Sequence, residues 1–216
     1  MNDRFDNLKE EKRKKIIDVC VEEFAQNGFE KASTNTIVKK AGISKGILFH
    51  YFGSKKNLYL YVVDYAIDHF IKEYDASTVN LSSDIFQRFT EISLIKLKMA
   101  YGSPVLYKLL LNAFVDMPAE VRDDLQERYD RICRTYVPLI LEDIDISGFR
   151  KDIDAHRAVE FIYLSLEALS RKYMLELKRG VDETPEYAKK IVEGFSKCTE
   201  DLHKCMDMLK YGIYER

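Results

Sequence analysis

The chain has 216 residues, of which 46% are hydrophobic and 32% charged, a composition typical of a globular protein with one or two domains. Its first residues lack the apolar stretch of a secretory signal. No uninterrupted apolar run approaches the ~18 residues of a membrane-spanning helix. We therefore expect a cytoplasmic protein with no membrane partner, and we expect the four scattered cysteines to be buried thiols.

Charge is distributed unevenly along the chain. Residues 1–60 contain 12 Lys and Arg against 8 Asp and Glu, whereas the whole chain contains 34 against 36. The first quarter is therefore net positive, and residues 61–216 are net negative. A basic N-terminal region indicates an anionic partner for that region.

The first predicted helix covers residues 9–27. Ile17, Cys20 and Phe24 recur at the spacing of one helical face, and Gly28 closes the pattern. Its lysine-rich start suits a solvated face or phosphate contacts, and both alternatives stay open.

Two short helices joined by a tight turn follow. Thr34 is placed to cap the first of them, and Gly42 supplies a residue that turns sharply with positive φ. Ser44 is placed to cap the second, whose buried side is Leu48 and Phe52, four residues apart. The pattern predicts a helix-turn-helix.

The outer face of the second short helix is small, polar and basic. A helix of this kind fits the major groove of DNA, which is about 12 Å wide and presents hydrogen-bond acceptors. Ser54 then caps a longer helix with Lys55 in its first turn, where a lysine and unpaired backbone N–H groups suit a phosphate. The predicted DNA-contacting residues are Thr34, Ser44, Lys45, Gly46, Ile47, Phe49, His50, Tyr51 and Lys55.

This region resembles the TetR family of bacterial transcriptional regulators. The resemblance rests on Gly28, Phe29, Thr34, Ile37, Ala41, Gly42, Ser44, Lys45, Gly46, Leu48, Tyr51, Phe52, Lys55 and Leu58. Phe49 departs from the pattern, because the family usually has a tyrosine there, and phenylalanine lacks the hydroxyl that could donate to a phosphate. The resemblance implies a three-helix DNA-binding head, a larger helical body that senses a small molecule, and a homodimer on a palindromic operator. We accordingly expect a head at residues 1–54, a ligand-binding and dimerisation body at 55–216, and association with the nucleoid.

The rest of the chain is expected to be all helical, because no strand-like alternation persists. A helix is predicted at 55–74, a break at 75–83, and a helix through Ala100 with Ser82 or Ser83 as its cap. Ser103 and Pro104 resemble a cap and a first helical position, and Pro118 repeats the device for a helix through Tyr136. Pro138 is expected to kink or restart that helix.

The last two helices are unusually apolar. One, at 155–178, has apolar residues nearly all round, and the final one has a seam spaced by four and three residues. Both features fit a symmetric four-helix dimer interface, and closure of the chain's own core is the alternative. The predicted interface residues are Ile162, Leu166, Leu169, Tyr173, Phe195, Cys198, Leu202, Cys205 and Leu209.

The body also has many aromatic residues that could line a pocket for an apolar or aromatic effector. The predicted set is Phe70, Phe86, Phe89, Met99, Tyr107, Phe114, Tyr129, Tyr136, Tyr163 and Glu167. We expect no metal, no cofactor and no catalytic residues: Asp152, Asp154 and His156 lie where a helix begins, and an N-cap accounts for an aspartate there. The predicted function is a ligand-released repressor. An activator, a regulator controlled by a protein partner, and an enzyme using the same cavity remain alternatives.

Overall fold

The computed structural model describes residues 5, 7–78, 80–179 and 187–213. Every regular element in these ranges is a helix, as predicted. Among the described residues, none of the helices combines the length and the apolar content that crossing a bilayer requires. The α-helices are α1 (Glu10–Lys31), α2 (Thr34–Ala41), α3 (Lys45–Phe52), α4 (Lys55–Ser77), α5 (Ile85–Gly102), α6 (Pro104–Leu111), α7 (Arg122–Leu141), α8 (Ala155–Arg179) and α9 (Tyr187–Ile213).

The chain packs as two compact units. Unit 1 comprises residues 1–71 and 103–130, and unit 2 comprises residues 72–102 and 131–216. The helices α4 and α7 each contribute to both units. Unit 1 therefore contains more than the three helices expected of the head, and a functional boundary after residue 54 stays a prediction.

Helix α1 is longer than its pattern predicts. It buries Ile17, Cys20 and Phe24 as expected, but it resumes after a kink at Gly28, where φ is 65°. Only glycine adopts this backbone conformation at little cost. The side-chain amide of Asn112, from the π-helical turn Asn112–Asp116 after α6, donates to the Ala25 carbonyl oxygen at 3.0 Å. The kink is thus supported from within unit 1.

Polar side-chain contacts connect α4 to α7 and to the start of α6 in unit 1. Arg128 donates to both carboxylate oxygens of Asp64 at 2.7 Å, which joins α7 to α4. Ser103 occupies the N-cap position of α6, but its hydroxyl lies 3.0 Å from Nε2 of His69 and makes no cap hydrogen bond. The expected cap therefore fails, while Pro104 begins the helix as predicted.

In unit 2, the N-cap of α5 is a different residue from the predicted one. Asp84, not Ser82 or Ser83, accepts hydrogen bonds from the backbone N–H groups of Phe86 and Gln87, at 3.0 and 2.9 Å. A carboxylate is favoured there because it also complements the positive end of the helix. The predicted break is shorter than expected, since α4 continues to Ser77.

A buried arginine holds the end of α7 in unit 2. The Arg88 guanidinium donates to the carbonyl oxygens of Ser82, Ile140 and Glu142. Helix α7 passes through Pro138 without restarting and ends at Leu141. The proline lies in the last turn and removes only its own N–H from the helical hydrogen bonds. The core beneath consists of Ile85, Phe86, Phe89, Phe149, Ile162, Leu166 and Met206.

The aspartates before α8 have structural roles. Asp154 accepts from the backbone N–H groups of His156 and Arg157, at 3.0 and 3.2 Å, which confirms it as the N-cap. Asp152 instead pairs with Arg150. In the part of the chain that the structure describes, no group of His, Cys, Asp and Glu side chains is arranged to hold a metal ion.

Candidate nucleic-acid interface

The N-cap of α2, the first helix of the predicted pair, lies one residue earlier than expected. Ser33 has an extended backbone, and its hydroxyl oxygen accepts from the Thr36 N–H at 3.3 Å. Thr34 is therefore the first helical residue and not the cap. Serine and threonine are both good caps, so the sequence pattern alone could not choose between neighbours.

A buried carboxylate positions this helix start. Glu23, only 4% exposed, accepts from the Ser33 backbone N–H at 2.9 Å and from the Asn27 side-chain amide at 3.0 Å. Sequence reasoning missed Glu23, and the only local signal was its spacing of four from Asn27. The contact ties α1 to the entrance of the helix-turn-helix.

The turn between α2 and α3 is as predicted. Gly42 is left-handed, with φ 71°, and its N–H donates to the Val38 carbonyl oxygen. Ser44 caps α3 by accepting from the Ile47 N–H at 3.2 Å. Leu48 and Phe52 are buried beneath α3, so the position of the turn and the rotation of α3 are confirmed.

The opposite face of α3 is open to solvent. Lys45, Gly46, Ile47 and His50 are exposed, and Tyr51 is half-buried. The Lys45 ammonium lies 6.0 Å from the centre of the half-buried Phe49 ring, within cation–π range. An eight-residue helix with a narrow, donor-bearing outer face has the dimensions that a major groove admits.

The start of α4 differs from expectation in one contact. Ser54 caps the helix, as predicted, by accepting from the Asn57 N–H at 3.1 Å. The Lys55 ammonium, however, donates to the Glu30 carbonyl oxygen at 3.0 Å and lies 5.1 Å from the centre of the Phe29 ring. Lys55 thus joins α4 to the end of α1, and its phosphate contact stays a prediction.

The predicted effector residues divide between the two units. Phe70 stacks edge-on against Tyr107 in unit 1, where Phe114 also lies near Tyr129. Unit 2 contains Phe86, Phe89, Met99, Tyr136, Tyr163 and Glu167. Phe86 and Phe89 belong to its packed core.

Two tyrosines of unit 2 lie in markedly non-aqueous surroundings. Burial, followed by the charge of Glu167, raises the pKa of Tyr163 well above its usual range. Burial raises the pKa of Tyr74 to about 12, and its ring stacks edge-on against Tyr136, with 5.4 Å between centres. These phenols therefore stay neutral at physiological pH.

The predicted dimer surface needs one correction. Ile162 and Leu166 are 0% and 2% exposed within the single chain, because they fill the core of unit 2. Their neighbours Phe161 and Leu164 are instead 59% and 53% exposed. A residue period of 3.6 places 161 and 164 on one helical face and 162 and 166 on another. Tyr173, Phe195, Cys198 and Leu202 lie outside the side chains that the structure describes.

The outer surface of α8 and α9 also has a groove. It has a volume of about 430 Å³ and lies between residues of both helices. Met208 and Tyr211 of α9 are 69% and 73% exposed. The groove is lined by Ser165, Leu166, Ala168, Leu169, Lys172, Cys205, Met208 and Leu209.

A capped helix-turn-helix with a solvent-facing basic helix, carried on an all-helical chain, defines a DNA-binding protein. The model of the family "Bacterial regulatory proteins, tetR family" matches residues 16–62, which contain both helices and their turn. The chain belongs to the TetR family of transcriptional regulators.

Known proteins extend the similarity beyond the matched segment. A TetR family regulator from Chloroflexus aurantiacus is 25% identical and superposes with a TM-score of 0.65, with 99% of this chain and 98% of that chain covered. A regulator from Saccharomonospora viridis, solved in complex with choline, is 20% identical with a TM-score of 0.62, covering 96% and 100%. The Bacillus subtilis fatty acid metabolism regulator is 23% identical over 169 residues, which are 74% of this chain and 81% of that protein.

Proposed function

We propose that the protein is a homodimeric transcriptional repressor that a small apolar or aromatic molecule releases from a palindromic operator. The observation that carries this proposal is the outer face of α3, which is exposed, basic and fixed at both ends by caps. Family membership supplies DNA binding and regulation of transcription. Repression, the effector and the dimer are the parts that we propose.

Each residue of the outer face has a chemical role in the proposal. Lys45 and His50 donate to phosphates or base edges, and Tyr51 donates its hydroxyl. Ile47 contacts a thymine methyl group, since its side chain is 39% exposed at the centre of the face. Phosphate contacts are also assigned to Thr34, Ser44, Gly46 and Lys55 around the edges, while Phe49 supports Lys45.

The exposed face of α8 and α9 supports the homodimer. Phe161, Leu164, Met208 and Tyr211 present large apolar surface that a stable monomer would bury. Leu169, Cys205 and Leu209 are half-buried beside it and line the groove. A second copy of the same face would cover both the exposed apolar residues and the groove. A palindromic operator with half-sites one turn of duplex apart would require two copies of α3 separated by about 34–36 Å.

The effector is proposed to bind among the aromatic side chains of the body. Tyr74 and Tyr163 combine apolar rings with hydroxyl groups in low-dielectric surroundings, and Tyr136 packs edge-on against Tyr74, which suits a largely apolar molecule with one polar end. The similarity to a fatty acid metabolism regulator favours an apolar chain as that molecule. Glu167 beside Tyr163 is the acid proposed to accept a hydrogen bond from the polar end, which must therefore carry a donor such as a hydroxyl group.

Release follows from unequal affinity for two states. If the effector binds more tightly when the two α3 helices are too far apart for successive grooves, it lowers the population that fits DNA. The DNA-bound protein must then bind the effector more weakly by the same factor.

Selection of bound duplexes from random sequence, followed by titration with long-chain alcohols and, for comparison, the corresponding fatty acids, tests the proposal. We expect a palindromic sequence, two protein chains per duplex, and loss of binding on addition of the active compound. A non-palindromic sequence bound by one chain would contradict the dimer, and binding strengthened by the compound would contradict release.

Charge variants test the contacts. Lys45→Ala should weaken the selected duplex and reduce the slope of log affinity against log salt by about 1, because one phosphate contact is lost. Lys151→Ala, which removes an exposed lysine of unit 2, is the matched control and should change neither quantity. Equal losses in the two variants would overturn the assignment of Lys45.

A further inference from the structure

Phe5, a residue that precedes α1, packs against the buried side of α3. Phe5 is 1% exposed, although its neighbours in sequence are polar. Its ring lies 4.7 Å from Phe52 and 5.4 Å from Tyr51, both in the last turn of α3, and 5.5 Å from Tyr61 of α4, measured between centres. Phe5 thus packs between the end of α3 and the body of α4.

Helix α3 needs such support because it is short. An isolated helix of eight residues is unstable in water, so its position depends on the surface beneath it. Leu48 and Phe52 provide its buried contacts. Phe5 forms one wall around Phe52 and contacts the ring of Tyr51 edge-on, a geometry that aromatic pairs prefer.

Tyr51 makes this packing relevant to DNA. It lies beside His50, with 5.9 Å between ring centres, and its ring is half-buried against Phe5. A half-buried tyrosine has its ring direction fixed by its neighbours while its hydroxyl can still meet a partner. Because Phe5 fixes the orientation of the Tyr51 ring, it also fixes the direction in which the Tyr51 hydroxyl donates.

We infer that Phe5 is a positioning residue for sequence recognition: it holds the last turn of α3 and orients Tyr51 toward DNA. The inference rests on the proposed role of α3 and Tyr51 at the operator. It assigns to the segment before α1 a part in DNA binding through packing rather than charge. Sequence reasoning missed it, because a single aromatic residue outside any periodic pattern gives no signal of its partners.

The test compares Phe5→Leu with Phe24→Leu in the full-length protein. Phe24 is an equally buried phenylalanine of unit 1, but its ring packs edge-on against Tyr59 of α4 and not against the rings of Tyr51 or Phe52. The probes are a duplex selected by the wild-type protein and a shuffled duplex of the same composition. Binding is measured at a temperature where circular dichroism shows all variants folded.

Phe5→Leu should weaken binding of the selected duplex about tenfold, or about 1.4 kcal/mol, and binding of the shuffled duplex by less than about twofold. Phe24→Leu should leave the ratio between the duplexes unchanged. On a Tyr51→Leu background, Phe5→Leu should cost less than about twofold, since two residues that act through one contact are not additive. Equal ratios for Phe5→Leu and Phe24→Leu, or the full tenfold loss on the Tyr51→Leu background, would overturn the inference.

A readout without DNA separates this inference from the proposed function. In the protein with labelled tyrosine rings, Phe5→Leu should shift the NMR signals of Tyr51, and Phe24→Leu should not. Unchanged Tyr51 signals would overturn the positioning role, whatever the DNA result. A wild-type protein that does not distinguish the two duplexes, with Tyr51 signals that do shift, would overturn the proposed recognition by α3 while leaving the packing role of Phe5 supported.

Discussion

The helix-turn-helix segment and the outer face of α8 and α9 differ in the chemistry of the residues that they expose. In the segment, Ser33, Ser44 and Ser54 cap three successive helices, and Ile37, Leu48 and Phe52 are buried. Apart from the glycines and Ile47, which is 39% exposed, the residues that the segment exposes are polar or basic. On α8 and α9, the apolar residues Phe161 and Met208 are exposed to solvent, and Met208 lines an apolar groove.

The difference separates two kinds of binding surface. A surface that meets DNA must remain hydrated until contact, because phosphates are recognised by charged and polar donors. A surface that meets another copy of the chain gains from burying apolar area. The first is therefore complete within one chain, whereas the second would be completed by a second copy in the proposed dimer.

The largest effect should come from placing a charge on the second surface. Phe161→Asp should weaken the proposed dimer about a hundredfold, or about 2.7 kcal/mol, because a carboxylate would be buried in an apolar interface. Analytical ultracentrifugation measures the dissociation constant. DNA binding should fall with it, since each chain supplies one half-site contact.

Leu139→Asp is the matched control for this variant. Leu139, like Phe161, is a large exposed apolar residue of unit 2. It lies on α7, is 55% exposed, and is outside the proposed interface. The control should leave the association state unchanged. A Phe161→Asp protein that associates as the wild type does would remove the contrast between the two surfaces.

Sequence reasoning succeeded where local chemistry decides the structure. The turn at Gly42, the cap at Ser44 and the buried pair Leu48 and Phe52 depend on residues within one or two turns of each other. It failed where distant residues decide. Whether Ile162 or Phe161 faces the core depends on what packs against α8, and an apolar helix gives little indication of its rotation.

The same distinction explains the contacts that were missed at single side chains. The hydrogen bond from Lys55 to the Glu30 carbonyl oxygen, 25 positions earlier, was not predicted, while the phosphate contact of Lys55 stays a prediction. Phe5 and Glu23 were missed for the same reason, since their partners are remote in sequence or are backbone groups. Contacts of this kind require the fold before they can be recognised.

The completeness of the helix-turn-helix can be tested at its first cap. Ser33→Ala should destabilise the protein by about 1 kcal/mol, because the Thr36 N–H loses its acceptor. Thr34→Ala should cost clearly less, since its side chain does not cap the helix. Thermal unfolding of the two single variants gives the comparison, and a larger loss for Thr34→Ala would restore Thr34 as the cap.

Unit 1 nevertheless contains one unpaired group. Among the described residues, the hydroxyl oxygen of Tyr59 is the buried side-chain polar atom without a hydrogen-bond partner. Burial raises the pKa of this phenol well above its usual range. Tyr59→Phe should therefore stabilise the protein by about 1 kcal/mol, because it removes a desolvated hydroxyl and keeps the ring beside Phe24 and Phe29.

Denaturant unfolding measures this effect, with Tyr61→Phe as the control at a half-buried tyrosine of the same helix. The control should change stability by less than Tyr59→Phe does. Destabilisation by Tyr59→Phe would mean that the hydroxyl makes a contact in solution, and unit 1 would then be more fully paired than its structure indicates.

The smallest effect concerns the ion pair between α4 and α7, in which Lys56 and Asp124 are 2.8 Å apart. The hydrogen bond from Lys56 holds the pKa of Asp124 below its ordinary value of 3.8. A carboxyl with a lowered folded pKa stabilises the protein above its unfolded pKa, and the contribution disappears as the pH falls through the folded value. Both side chains are more than a third exposed, so Asp124→Asn should cost only about 0.5 kcal/mol or less at pH 7.

Asp123→Asn is the control that isolates this pair. Asp123 lies in the same first turn of α7, so both variants remove a carboxylate that complements the helix dipole, but only one removes the partner of Lys56. The stability difference between the two variants should be present at pH 7 and disappear in acid, as the pH falls through the lowered folded pKa of Asp124 and the carboxyl becomes protonated in both states. A difference that persists in acid cannot come from the carboxylate, and the attachment of α7 to α4 would then depend on packing and on the Arg128 contact instead.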